Sequence, residues 1–146
     1  MAEKSTLKKR SEVDKRFTWA IEDLYASDDL WQQEYEQIKE MLPKALEYQG
    51  RLSKSADILY SFLQLSDEIS QLLERVYVYA NQKYHEDTGN ATYQDLSNKA
   101  NALSVQVSSA LSFATPEILS IPAETLSEFL LENDDLKLYD FYLKDI

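Results

Sequence analysis

Ile58, Phe62, Leu65, Ile69, Leu72, Val76 and Tyr79 follow one another by alternate steps of four and three residues, without a break. A strand repeats every two residues and could not keep these side chains together. An α-helix, with about 3.6 residues per turn, sets all seven on one face. Leu59, Leu63, Leu73 and Tyr77 widen that face. Such a stripe is too broad for a free surface helix, so a helix over roughly 55–85 must lie against other helices. The chain has only two glycines and three prolines among 146 residues. That scarcity favours long helices over turn-rich β folds or phosphate loops.

Two more helices flank this one. Ser27 or Asp28 can cap the first, on which Trp31, Tyr35, Ile38, Leu42 and Ala45 share a face. Pro43 predicts a kink or short break near 41–43, and Gly50 suits a C-terminal cap. Ser53 or Ser55 opens the central helix. After Asp87-Thr88-Gly89-Asn90 a third begins, with Tyr93, Leu96, Ala100, Leu103, Val107, Ala110 and Ala114 aligned. Its alanines let helix axes approach closely, so this helix is expected at the centre of the packing. Its other side (Ser97, Asn98, Asn101, Ser104, Ser108) faces either solvent or a partner or cavity.

Pro116 and Pro122 predict short helices at roughly 116–120 and 122–132. Asp134 or Asp135 caps a last one, which carries Tyr139, Phe141 and Tyr142 and ends mid-pattern, as if truncated. Residues 11–27 read as an extended lead-in with a short helical turn near 20–25, its aromatics anchored on the body. The expected architecture is all-α: an antiparallel helical bundle of three long helices plus short C-terminal helices. Residues 1–15 are expected as a flexible basic arm and 16–146 as a single helical domain.

Charge narrows the partners. Residues 1–16 carry six basic and three acidic side chains, a net +3, and the remainder nine basic and 23 acidic, a net −14. So acidic a body repels nucleic acid and anionic membranes. No apolar run approaches the ~20 residues of a membrane helix, and no signal-peptide core is present. With no cysteine, thiolate sites and disulfides are excluded. A cytoplasmic location is expected.

The chemistry is sparse. His85 is the one histidine, and Glu86 follows it. A zinc-peptidase HExxH helix needs a second histidine at i+4, where this chain has Gly89. His85, Glu86 and Asp87 are neighbours that diverge by about 100° each. Asp87–Asn90 therefore reads as a turn, with Gly89 supplying unusual backbone angles. The pairs Asp28–Asp29 and Asp134–Asp135 read as helix caps. No catalytic, cofactor-binding or metal-binding residue is expected in this chain.

Several stretches together nevertheless resemble a known family. They are FTWAIEDLYASDDLW (17–31), YQGRL (48–52), RVYVYANQKYHEDTGNATYQDL (75–96) and SFATPEIL (112–119). In that order they are similar to the N-terminal region of the oligoendopeptidase F family, zinc metalloendopeptidases of the thimet-oligopeptidase clan. Trp19, Asp23, Leu24 and Tyr25 carry the first motif. The resemblance implies a parent several times longer, whose zinc ligands lie in a later HExxH helix absent here. It implies a non-catalytic domain that forms a wall of the channel for short oligopeptides and restricts substrate size. Its partners would be the missing C-terminal catalytic domain and, in the parent, short peptides. Zinc is implied for the parent only, and this chain alone is expected to be inactive. The alternative is a stand-alone helical protein–protein interaction module. As part of a longer protein, the tyrosine-rich C-terminal segment (Tyr139, Phe141, Tyr142) is expected to expose apolar surface that could support a homodimer.

Overall fold

Lys8 and residues 10–146 are described by the computed structural model, and of the expected arm of residues 1–15, residues 1–7 and 9 lie outside them. Among the described residues every regular element is helical. Short 3₁₀ turns at Arg10–Glu12, Lys15–Phe17 and Ile21–Asp23 lead into three long helices: α1 (Asp28–Leu46), α2 (Ala56–Glu86) and α3 (Ala91–Leu111). Then come α4 (Ala114–Leu119), α5 (Ala123–Glu132), a 3₁₀ turn (Asp135–Tyr139) and α6 (Asp140–Asp145). The architecture is the expected antiparallel bundle with short C-terminal helices.

Each long helix starts on a side chain that accepts from its free N–H groups. Ser27 Oγ accepts from Leu30 N at 3.3 Å, and Ser55 Oγ from Ile58 N at 3.2 Å. Asn90 Oδ1 takes both Thr92 N, at 3.0 Å, and Tyr93 N, at 3.3 Å. Gly50 adopts the left-handed conformation with φ 76°, as its place after α1 requires.

Four local expectations fail, each for a physical reason. Pro43 does not break α1, which continues to Leu46. Its missing N–H and its ring act on the preceding turn, at Lys39, and buried Ile38, Met41, Leu42 and Ala45 hold both turns on the body. Gly89 has no positive φ. Asp87 Oδ1 accepts from Gly89 N at 3.1 Å instead, so a side chain makes the turn that glycine was expected to make. Asn133, rather than Asp134 or Asp135, caps the last segment, its Oδ1 accepting from Asp135 N and Leu136 N. In the lead-in, Ile21 and Tyr25 are buried but Phe17 and Trp19 are exposed, not anchored.

α2, rather than α3, is the central helix. It packs on α1, α3, α5 and the 3₁₀ turns at Ile21–Asp23 and Asp135–Tyr139. The reason is length: 31 residues at a rise of 1.5 Å give about 46 Å. That is long enough to hold a separate core at each end.

The first core gathers the second half of α2 (Ile69, Val76, Tyr79, Ala80) with α1 (Trp31, Ile38, Met41) and α3 (Leu96, Ala100, Leu103, Val107). Trp31 is its anchor: fully buried, stacked on Tyr35 at 5.3 Å, its Nε1–H donating to Val76 O at 2.8 Å. The second core sets the first half of α2 (Ala56, Leu59, Phe62, Leu63) against Leu52, Ile118, Ile121, Phe129, Leu136 and Leu143.

Candidate functional site

Where α1 starts and α2 ends, Asp28, Tyr79 and Lys83 form a polar cluster at the rim of the first core. Tyr79 and Lys83 lie one turn apart on α2, so both reach the first residue of α1. The Tyr79 hydroxyl donates to Asp28 Oδ1 at 2.7 Å, and the Lys83 ammonium donates to the same oxygen at 3.0 Å. Lys83 Nζ also lies 5.1 Å from the Tyr79 ring centroid and 5.0 Å from that of Tyr93, a cation between two aromatic faces. Tyr25 meets Tyr79 edge-on at 5.1 Å.

The electrostatics fix protons here rather than pass them. Burial works against the Asp28 carboxylate, but the Tyr79 hydroxyl and Lys83 ammonium hold it below its ordinary value. Burial likewise disfavours charged Lys83, yet Asp28 raises it on balance. Burial and the hydrogen bond to Asp28 push the Tyr79 hydroxyl up. All three shifts lead away from neutrality, whereas a general acid or base works best with a pKa near the working pH. The cluster is a docking pin for the α1 terminus.

His85 stands two residues beyond Lys83, in the last turn of α2. It is exposed, with its ring tilted against Tyr84 at 5.6 Å. It borders an open cavity of about 710 Å³ shared with Lys8, Arg10, Asp87 and Tyr93. Glu86 is drawn off by an ion pair with Arg10, whose guanidinium also donates to Trp19 O at 2.8 Å. Burial raises the Glu86 carboxyl above its ordinary value, against the pull of Arg10 and Lys83. Asp87 is occupied in its own turn. Among the described residues no three His, Asp or Glu side chains form a group that could hold a metal ion. Zinc does not fit at His85, since the neighbouring carboxylates serve other partners.

A third region is distinguished by composition. From Ala100 to Pro116 no residue is charged, in a chain that is 28% charged. Asn101, Val105, Gln106, Ser108 and Ser112 are exposed there. Ser97, expected on this face, is instead buried between α2 and α3. Its hydroxyl donates to Asn81 Oδ1 at 3.0 Å and accepts from Asn101 Nδ2 at 3.4 Å.

Sequence reasoning missed the contacts that join distant segments. Glu117 accepts from Gly50 N and Leu52 N, both at 2.8 Å, and clips the α1–α2 connection to α4. The Asp28 pin has a local signal only in the spacing of Tyr79 and Lys83.

Over 137 residues, 94% of its length, the chain is 42% identical to oligopeptidase PepF of Bacillus subtilis. The crystal structure of oligoendopeptidase-F from Enterococcus faecium superposes on 81% of the chain with a TM-score of 0.74 and 30% identity. The chain is homologous to the N-terminal part of the oligoendopeptidase F peptidases. It spans 20% of the length of the Bacillus subtilis protein and 23% of the Enterococcus faecium chain. A solved structure from Chlamydophila abortus shares the fold over 97% of this chain and 24% of its own, with a TM-score of 0.83 and 23% identity. No family model matches the chain. Among the described residues no helix is long and apolar enough to cross a membrane.

Proposed function

We propose that this chain is the non-catalytic N-terminal domain of a cytoplasmic zinc metalloendopeptidase that hydrolyses short oligopeptides. It forms one wall of the substrate channel and restricts substrate size. The observation that carries this reading is high identity along nearly the whole chain to a fifth of an oligopeptidase. Zinc, its ligands and the general base belong to the remaining four-fifths. The uncharged exposed stretch of α3 after Lys99 supports the wall: amides and hydroxyls there can contact an extended peptide backbone without selecting its charge. The partners are the catalytic domain and, in the channel, short peptides.

The test begins with the reading frame beyond Ile146. A continuing frame with HExxH is expected, and a stop codon there rejects the reading in favour of a stand-alone interaction module. The longer polypeptide should cleave short peptides and spare folded proteins. The 146-residue chain should show no zinc-dependent hydrolysis and retain no stoichiometric zinc after chelation and dialysis. Val105→Trp and Ser108→Trp, both on the exposed side of α3, should slow long peptides more than short ones. Equal slowing at every length would remove α3 from the channel wall.

A further inference from the structure

We infer that the outer face of α5, the 3₁₀ turn after it and α6 is an apolar docking surface for the catalytic part of the same polypeptide. The inference rests on the proposed function and names the face by which the domain is held. Leu131, Leu138 and Phe141 are 79%, 81% and 80% exposed. Isolated exposed leucines are ordinary, but three large apolar side chains this bare within eleven residues are not. Leu138 and Phe141 are three residues apart across the start of α6, so they are neighbours on one side. Leu131 joins Leu130 in lining an open groove of about 450 Å³, opposite Lys137, Asp140 and Lys144.

The charges at this groove are already satisfied. Lys137 pairs with Asp134 at 2.5 Å and Lys144 with Asp140 at 2.7 Å, each within its own segment. What remains to offer a partner is apolar area, so docking should be nearly independent of salt.

Two arguments favour a covalently attached occupant over a second copy. Two chains of net charge −11 repel one another. A catalytic part joined by a short connection acts at an effective concentration on the order of millimolar, which a free copy does not reach. The relatives carry about five times this chain's length, so the reading supplies such an occupant. The segment also needs one: α6 has six residues, too few to be stable alone, and Leu143 is its one buried side chain.

The experiment compares the 146-residue chain with the longer polypeptide, each as wild type and as the triple variant Leu131→Ser, Leu138→Ser, Phe141→Ser. In the short chain these side chains face water, so helicity and Tm should barely change. In the longer polypeptide wild-type amides of residues 131–145 should exchange at least about tenfold more slowly than in the short chain. The triple variant should abolish that protection, and raising the salt from 0.05 to 0.5 M should not. Equal exchange in both wild types, with peptidase activity present, would overturn the inference and leave the proposed function standing. Protection that disappears in high salt, or a wild-type short chain that dimerises while its triple variant stays monomeric, would overturn it as well. A reading frame that stops at Ile146 would overturn both.

Discussion

The two cores share one helix and are built from helices of very different length. The first joins three helices of 19, 31 and 21 residues, whose apolar stripes meet along their lengths. The second joins half of α2 to helices of six, ten and six residues and a five-residue 3₁₀ turn. Long helices register against each other through repeated side-chain contacts, and the polar contacts of Trp31 with Val76 O, of Asp28 with Tyr79 and Lys83 and of Ser97 with Asn81 add to that packing. Short helices have too few contacts each to fix their own position. The second core is therefore tied at several points. Glu117 clips α4 to Gly50 and Leu52. Asn133 Nδ2 donates to Asp57 Oδ1 at 2.8 Å. The Tyr139 hydroxyl donates to Asp67 Oδ2 at 2.7 Å. Burial and the Asp67 carboxylate push that hydroxyl up to about 12, so the last tie persists through neutral pH.

The contrast is broken most directly at Trp31. Trp31→Ala empties the centre of the first core and removes the bond to Val76 O. It should cost about 3–5 kcal/mol and lower the whole unfolding transition, read by urea denaturation of helical CD. Loss confined to the C-terminal helices would show that the first core is not what the rest depends on.

Leu136→Ala is the matching change in the second core, at a fully buried site. About 3 kcal/mol is expected, mid-range for a buried leucine. It should act locally: amides of α5 and α6 exchange faster while those of α1 and α3 keep their protection. A uniform loss would merge the two cores into one cooperative unit.

Glu117→Gln tests the polar ties. One of the two backbone donors would then face an amide NH₂ in place of an oxygen. A loss of about 1–2 kcal/mol is expected, with faster exchange at Gly50 and Leu52. If Tm does not move, the clip is dispensable and packing alone positions α4.

The smallest effect belongs to the pin on the first core. The Asp28 carboxylate titrates below its ordinary value in the folded state. Its contribution is therefore complete above the unfolded carboxyl pKa and lost as pH falls through the lower folded one. Asp28→Asn should be less stable than wild type at pH 7 by no more than about 1 kcal/mol, since the side chain is partly solvated. The two proteins should converge as pH drops below about 4. A gap that widens in acid would reverse the assigned sign.

Much of the first core was readable beforehand. Trp31, Ile38 and Ala45 on α1, Ile69, Val76 and Tyr79 on α2, and Leu96, Ala100, Leu103 and Val107 on α3 were all placed by spacing and are all buried. The second core is legible as pieces: α4 and α5 lie within two residues of their expected ends, while Asn133 and neither of the aspartates after it caps the last segment. At the candidate sites, spacing places Gly89 where a zinc-binding helix would need a second histidine after His85. It could not show Glu86 turning to Arg10, because that pair spans 76 residues and no local pattern encodes it.

By itself, the sequence determined that this chain is helical, where its long helices begin, and which face of each is apolar. Those properties depend on neighbours three or four residues apart and on caps within one turn, so they are written locally. Only the tertiary structure decided that α2 rather than α3 is central, that Ser97 lies buried and Phe17 and Trp19 do not, and that Glu117, Asp28 and Tyr139 fasten segments more than fifty residues apart. Those outcomes turn on which surfaces meet in space, and a periodic stripe states that a face will be covered without stating by what.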